Sequence, residues 1–252
     1  MNIENRRNDI LDLLKQNGSV RVTELSTRFG VSEVTVRSDL EDMEKKGLLS
    51  RVHGGAVSSY KPYYSMNFNQ RLETNQSEKV KIAEKIAAMI APNDTVMLNA
   101  GTTTLLTFRK FPTDYALNIV TNSIAIALEA SGNGNYNVIL VGGSINTKYQ
   151  FTYGADAVRQ IERYHADKLI LSVDGIDLLG GFTTYYDKEA EIDRAMARRS
   201  DRCIIAADGS KFNHNAFSEV FGISQADCIV TNRRLDDEHV REFGEQGVDI
   251  VF

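Results

Sequence analysis

The chain has 252 residues, 42% of them hydrophobic and 25% charged, with three prolines and eighteen glycines. That composition suits a globular protein large enough for two domains and excludes a collagen-like or Pro/Gly-rich low-complexity chain. No apolar run approaches the roughly 20 residues that cross a bilayer. Two cysteines are too few for a disulfide framework, and the charged opening MNIENRRNDI lacks the apolar stretch of a signal peptide, which points to the cytoplasm. A net charge of −5 leaves no basic tail, and residues 1–57 balance nine Lys/Arg against nine Asp/Glu. Any nucleic-acid reading must therefore rest on pattern and placement.

In RRNDILDLLKQNG, Ile10, Leu13 and Leu14 fall at i, i+3 and i+4 and form one helical stripe. VRVTELSTRFG repeats the pattern with Val22, Leu25 and Phe29 and stops at Gly30. Only Val31 separates that stop from Ser32, an N-cap for the helix EVTVRSDLEDMEKKG. Val36, Leu40 and Met43 face inward there, which leaves Glu33, Val34, Arg37, Ser38 and Glu41 on or near the outer side. Two short helices joined by so tight a turn are a helix-turn-helix, whose second member enters the major groove. In LLSRVHGGAVSSY, Leu48–Val52 and Ala56–Tyr60 form strands about a Gly54-Gly55 hairpin turn, a wing carrying Arg51 and His53. Arg37 can offer a bidentate fork to guanine, Thr35 and Ser38 can reach bases or phosphates, and Arg51 can hold backbone phosphate. The candidate DNA-binding set is Ser32, Glu33, Thr35, Arg37, Ser38, Arg51 and His53. A generic three-helix cluster shares these spacings, and Arg37 reads equally as a solvated side chain paired with Glu33 or Glu41.

Residues 58–76 are polar, aromatic and weakly periodic and read as a linker after a DNA-binding domain at 1–57. The helix SEKVKIAEKIAAMI follows, with Ser77 at its start, Pro92 after it and a stripe of Val80, Ala83, Ile86, Ala87 and Ile90. From there TVMLNAG, NIVTNS, NVILVGG, KLILSVDG, RCIIAADG, DCIVTN and VDIVF alternate with helical stretches. Runs apolar on both faces are buried parallel strands, so 77–252 reads as a doubly wound α/β domain. Ligands of such sheets lie at the carboxyl ends of the strands, here Asn99–Thr104, Thr121-Asn122, Gly142-Gly143, Asp174–Asp177 and Asp208–Lys211.

Gly101 with Thr102, Thr103 and Thr104 offers close backbone approach, hydroxyls and a helix start, which together suit a phosphate; the same threonines also suit simple helix capping. Lys211 would add positive charge from another strand end, or stand as a surface lysine. Asp174 and Asp177 can accept from sugar hydroxyls or cap the following turn, and Glu189 either faces the pocket or belongs to a solvated helix start. The four histidines stand far apart with no metal spacing, Cys203 and Cys228 read as buried thiols, and GNGNYN lacks the third glycine of a dinucleotide loop. No metal or cofactor is expected.

The run RRNDILDLLKQNGSVRVTELSTRFGVSEVTVRSDLEDMEKKGLLSRVHGGA, followed in order by DTVMLNAGTTT, IVTNS, LVGG, DKLILSVDGID, GFTT and DGSKF, resembles the DeoR family of bacterial transcriptional regulators over nearly the whole chain. The resemblance implies an α/β protein with an N-terminal winged helix-turn-helix and a C-terminal sensor similar in fold to ribose-5-phosphate isomerase. It implies a repressor of a carbohydrate-utilisation operon, with operator DNA, a phosphorylated sugar and a homo-oligomeric copy as partners and no membrane. Gly101–Thr104 would hold phosphate, with Asp177, Glu189 and Lys211 around the sugar; Asn122, Gly142, Gly143 and Asp174 complete the effector-binding candidates. Asn99 stands where the family often has Asp, and Gly209 interrupts the usual Asp-Ser-Ser-Lys-Phe. The competing reading is a sugar-phosphate isomerase with an appended DNA-binding domain. GGFTT lacks the lysine of the similar isomerases, which favours a sensor.

Overall fold

The computed structural model of the chain describes residues 3–17, 19–45, 48–52, 54–58, 61–232 and 235–252. Two compact units, Met1–Met66 and Asn67–Phe252, make up the chain.

The first unit runs α1 (Ile3–Asn17), β1 (Ser19–Arg21), α2 (Val22–Phe29), α3 (Glu33–Lys45), β2 (Leu49–Val52), β3 (Gly55–Ser58) and α4 (Lys61–Ser65). Ile10, Leu14, Leu25, Val36, Leu40 and Met43 close one core, which is why each of the first three helices shows a single apolar stripe. Gly30 turns the chain at φ 62°, in the left-handed region that glycine enters without a Cβ clash, and its N–H bonds Ser26 O. Ser32 Oγ then accepts from Thr35 N at 3.2 Å and starts α3.

The wing differs from its expected register. Val52 pairs with Gly55, so Gly55 begins the returning strand and Gly54, at φ 79°, lies in the turn. A Cβ on Gly55 would come 2.1 Å from Val20 O. That approach lets β1 pair with β3 as a third strand, too short at three residues to show in the sequence pattern. His53 and residues 59 and 60 lie outside the described residues.

One polar cluster joins α1 to α3. Asp39, only 2% exposed, accepts from Arg6 Nε at 2.6 Å and Arg7 Nε at 3.0 Å. Arg7 also reaches the half-exposed Asp42 at 2.7 Å.

The second unit begins with α5 (Phe68–Glu73), α6 (Gln76–Ala87), β4 (Thr95–Leu98), α7 (Thr102–Phe108), β5 (Leu117–Thr121), α8 (Ile124–Ala130) and β6 (Tyr136–Leu140). It continues through β7 (Ser144–Asn146), β8 (Phe151–Tyr153), α9 (Ala155–Ile161), β9 (Lys168–Leu171), β10 (Gly175–Asp177), β11 (Gly181–Thr184) and α10 (Asp187–Ala197). The chain closes with β12 (Cys203–Ala206), β13 (Ser218–Phe221), β14 (Cys228–Val230), α11 (Asp237–Glu245) and β15 (Asp249–Val251). The seven apolar runs of the sequence form one sheet in the order β15-β14-β12-β9-β4-β5-β6, parallel at every pairing.

Alternate residues of each strand feed two cores. Val96, Leu98, Ile170 and Ile204 pack with Ile82, Ile86, Leu105 and Ile126 on one face, while Met97, Leu169, Leu171 and Ile205 pack with Ile161, Ile192 and Phe243 on the other. This is the doubly wound α/β arrangement. The chain departs from β4 through β5 and β6 in one direction and returns to its other side at β9. The switch point, where such sheets bind ligands, therefore lies between the carboxyl ends of β4 and β9.

Three local features depart from the sequence reading. Within 58–76 the chain forms α4 and α5 instead of a plain connection, and α5 buries Phe68 and Arg71. Asn75, not Ser77, precedes α6; Ala83, Ile86, Ala87 and Ile90 of the expected stripe are buried, Ile82 and Lys79 join them, and Val80 is left partly exposed. An antiparallel sheet, β10-β11-β13, stands beside the parallel one.

Removing one partner of a buried ion pair leaves a charge without compensation, at about 3–5 kcal/mol. Asp39→Asn is expected to lower the stability of the N-terminal unit by about 3 kcal/mol, whereas Asp42→Asn, at the exposed end of the cluster, costs under about 1 kcal/mol. Urea unfolding followed by circular dichroism measures both; equal losses would show that the cluster does not anchor α1 on α3.

Candidate functional site

After β4 the chain leaves the sheet through Asn99, Ala100 and Gly101 into α7. Gly101 is required by packing, because a Cβ there would lie 1.5 Å from Ser172 Oγ, at the end of β9. Thr104 locks this loop: its Oγ1 accepts from Gly101 N at 2.9 Å and donates to Asn99 O at 2.8 Å. Thr104 is fully buried and its hydroxyl is committed to backbone, while Thr102 and Thr103 are buried less completely, at 7% and 6% exposed. With seven residues, α7 makes a weak dipole, so positive charge at this loop must come from side chains.

Two buried lysines supply it. Lys79, on α6, is 1% exposed; its Nζ donates to Thr102 Oγ1 at 3.1 Å and to Arg71 O at 2.5 Å. Lys211, 5% exposed, arrives from a 3-10 turn after β12 (Gly209–Lys211) that Asp208 caps through Ser210 N. Burial, and next the positive charge of Lys211, push the Lys79 ammonium down to about 8. His214 is held down at about 4 by burial and by Lys211.

Carboxylates gather on the other side. Asp174, directly after the β9 loop, accepts from Tyr185 N at 3.0 Å and pairs with Arg71 at 3.5 Å. Glu189, in the first turn of α10, accepts from Thr184 Oγ1 at 2.7 Å; burial and the Asp174 charge raise it to about 7. Asp193, one turn further along α10, is fully buried. Its Oδ1 accepts from Asn99 Nδ2 at 3.2 Å, and its Oδ2 has no hydrogen-bond partner among the described residues. Burial and the Glu189 charge hold Asp193 well above the usual carboxylate range.

Asn99 explains part of this arrangement. Its Oδ1 accepts from Ser172 N at 3.0 Å while its amide donates to Asp193, a donor an ionised aspartate at this position would lack. Tyr149 and Tyr186, with ring centroids 4.8 Å apart, form an aromatic wall, and the Arg71 guanidinium stacks 4.3 Å from the Tyr149 centroid.

The sequence candidates divide by placement. Thr102, Thr103, Lys211, Asp174 and Glu189 gather around the β4/β9 switch point. Asp177 sits at the far end of β10, where its Oδ1 accepts from Leu179 N and Gly180 N and caps the hairpin turn. Gly142 bonds Gln160 through its N–H at 3.0 Å, and a Cβ on Gly143 would meet Tyr153 O at 2.4 Å; both are occupied by packing. Asn122 is fully buried, donates to Thr152 O, and leaves its Oδ1 without a partner among the described residues. Sequence reasoning missed Lys79, Arg71, Asp193 and His214. For Lys79 a signal existed, since counting i, i+3, i+4 and i+7 from it collects Ile82, Ala83 and Ile86. Among the described residues no group of three His, Cys, Asp or Glu side chains is placed to hold a metal ion, and no helix is long and apolar enough to cross a membrane.

On the N-terminal unit, α3 turns Val34, 74% exposed, and Arg37 and Ser38 outward. Arg37 is tied to Glu33 at 2.7 Å. On the wing, Arg51 N donates to Glu44 at 2.7 Å and the Arg51 side chain lies 4.0 Å from Glu41. Ser32 is the cap of α3, and Thr35 Oγ1 lies 2.9 Å from its hydroxyl.

Lys79 yields a test by linkage. Between about pH 8 and its ordinary value of 10.5, the unfolded chain holds a proton that the folded chain does not, so stability rises with pH across that window. The cost of the buried charge is fully present below pH 8, at about 3 kcal/mol, and is gone above 10.5. The difference in Tm between Lys79→Met and the unaltered protein should therefore change between pH 7 and pH 10, with the unaltered protein gaining. A difference independent of pH would contradict a depressed Lys79.

Residues 6–61 match the DeoR-like helix-turn-helix domain and residues 74–233 the DeoR C-terminal sensor domain. The chain is 34% identical over 251 residues to YulB of Bacillus subtilis, named as an uncharacterized HTH-type transcriptional regulator, covering 100% of this chain and 97% of that protein. It is 33% identical to the transcriptional repressor AccR of Agrobacterium fabrum, covering 91% and 89%, and 31% identical to the glycerol-3-phosphate regulon repressor of Escherichia coli, covering 94% and 96%. These relatives are named for regulation, not for a catalysed reaction. Among solved structures it is similar to eIF2B delta from Chaetomium thermophilum (TM-score 0.49, 13% identity, 65% of this chain and 58% of that one). It is also similar to ribose 5-phosphate isomerase A from Methanocaldococcus jannaschii (TM-score 0.41, 12% identity, 55% of each chain). The chain belongs to the DeoR family of DNA-binding transcriptional regulators.

Proposed function

We propose that the chain is a cytoplasmic repressor of a carbohydrate-utilisation operon, controlled by a phosphorylated sugar bound at the β4/β9 switch point. The observation that carries this reading is the pair of buried lysines. Lys79 and Lys211 repel each other in a site that depresses Lys79, and a phosphate dianion would relieve both the repulsion and the burial cost. Thr102 and Thr103 would add hydroxyl donors, and Gly101 and Thr104 would fix the loop. Asp174 and Glu189 would accept from sugar hydroxyls, with Tyr149 and Tyr186 against the carbon chain. Asn122, whose Oδ1 has no hydrogen-bond partner among the described residues, would join them from the end of β5. Asp177, Gly142 and Gly143 support this frame without touching the sugar.

The DNA-binding half would lay α3 in the major groove. Arg37, released from Glu33, would take guanine or phosphate; Ser38 and Thr35 would reach bases or backbone; Val34 suits a thymine methyl. Arg51 would hold backbone phosphate along the wing. Helix-turn-helix modules read paired half-sites, so the working form would be a homodimer or a tetramer. The sugar phosphate shifts the equilibrium only through different affinities for the DNA-competent and incompetent arrangements.

Fluorescence anisotropy tests the proposal with a duplex selected from random sequence by the protein itself. At least one of glucose 6-phosphate, ribose 5-phosphate and glycerol 3-phosphate should weaken duplex binding tenfold or more, and the unphosphorylated sugars should not. Lys79→Met and Lys211→Met should each raise the concentration required by about tenfold or more, the worth of a charge-assisted hydrogen bond. Arg37→Ala should cost about 1–3 kcal/mol in duplex affinity and relax sequence preference. Release at the same concentration in both lysine variants, or equal release by unphosphorylated sugars, would refute the effector assignment.

A further inference from the structure

Arg71 occupies an unusual position. It lies in the last turn of α5, the first element after the boundary between Met66 and Asn67 at which the chain leaves the DNA-binding unit. The start of α5 is fixed independently of the site: Asn67 and Gln70 form a capping box with bonds of 3.0 and 2.9 Å, Phe68 N donates to Lys148 O at 3.0 Å, and the Phe68 ring is buried. Its last turn carries Arg71, which reaches the switch point, beside Leu72, which packs against the core. The Arg71 carbonyl accepts from Lys79 at the cationic end. Its guanidinium pairs with Asp174 at the carboxylate end, lies 3.4 Å from Tyr149 Oη and stacks on that ring. One residue thus ties the helix nearest the DNA-binding unit in sequence to both halves of the site.

We infer that Arg71 is the positioning residue through which occupation of the β4/β9 site changes the connection to the DNA-binding unit, by exchanging its two tethers for bonds to a sugar phosphate. The inference rests on the phosphorylated-sugar reading above. A phosphate dianion is a stronger acceptor than an amide carbonyl, so a phosphate ester beside Lys79 draws the ammonium from Arg71 O. Hydroxyl groups at the other end compete for Asp174 and free the guanidinium to turn toward the ester. Both changes act on the last turn of α5 and none on its capped start. The helix therefore loosens at its C-terminal end while its capped start holds, so α5 can pivot about Phe68, and that pivot redirects the chain entering it from Met66. Binding to the loosened arrangement and not to the tethered one supplies the differential affinity that a shift in equilibrium demands.

Hydrogen exchange on the unaltered full-length protein tests this without a variant. Adding ribose 5-phosphate, glucose 6-phosphate or glycerol 3-phosphate, whichever weakens duplex binding, should speed amide exchange in residues 70–75 by about fivefold or more and slow it in residues 99–104. Inorganic phosphate should give part of the effect, through Lys79 only. Unchanged or slowed exchange in 70–75 overturns the inference. A second arm uses Arg71→Ala and Arg71→Lys, each measured at a sugar phosphate concentration that saturates that variant. The ratio of duplex Kd with and without the sugar phosphate should fall from tenfold or more to within twofold in Arg71→Ala, and Arg71→Lys should not restore it, because a lysine cannot bridge Asp174 and Tyr149 as a planar fork does. A full ratio in Arg71→Ala overturns the inference and leaves the effector reading standing. An unaltered protein that responds to no sugar phosphate overturns the effector reading itself.

Discussion

An ammonium group enclosed in protein must be compensated, and the C-terminal unit is organised around that requirement at Lys79. Burial and a second lysine nearby weaken its hold on the proton, and a threonine hydroxyl and one main-chain carbonyl accept its hydrogen bonds. The residues that could relieve this strain all come from strand ends and helix starts meeting at one switch point. Gly101 is small because Ser172 needs its space, and Thr104 is polar because the loop backbone needs its hydroxyl.

The carboxylate side obeys the same logic with the opposite sign. Asp174, Glu189 and Asp193 crowd together in a region where their ionised forms disfavour one another, and Arg71 is the cation that reaches them from α5. A polyhydroxylated molecule with a phosphate at one end would match both halves at once. The DNA-reading half is arranged differently. Among its described residues a buried charge cluster, Asp39 with Arg6 and Arg7, holds α1 on α3, while the outward residues of α3 and the wing keep exposed surface partners such as Glu33 and Glu41. Surface pairs of that kind are worth little and give way readily to phosphate or a base edge.

Much of this architecture is legible in the sequence. Parallel strands covered on both faces write themselves as unbroken Val/Ile runs, and all seven such runs entered the one sheet. The helix-turn-helix is legible because its stripes, its Gly30 stop and its Ser32 cap are local. What stays hidden depends on register or on distant partners. On α6 the face that buries Ala83, Ile86 and Ala87 also takes in Ile82 and Lys79 rather than Val80, so a charged residue heads an otherwise apolar stripe. Arg71 lies in a polar, aromatic stretch with no periodicity to mark it. Asp193 resembles any helix carboxylate until Asn99, far away in sequence, is found against it. Asp177 shows the reverse: its place after an apolar strand suggests a ligand, but a tight hairpin turn has the stronger use for its oxygen. The wing shifted because the need for a glycine at position 55 comes from β1, across the sheet, rather than from the turn.

The most direct test of the central claim is a crystal structure of the protein with the sugar phosphate that weakens its hold on DNA. The phosphorus atom should lie between Lys79 Nζ and Lys211 Nζ, within hydrogen-bond reach of Thr102, and the carbon chain should run toward Asp174 and Glu189. Phosphorus located away from both lysines, or the sugar bound outside the β4/β9 switch point, would contradict the account.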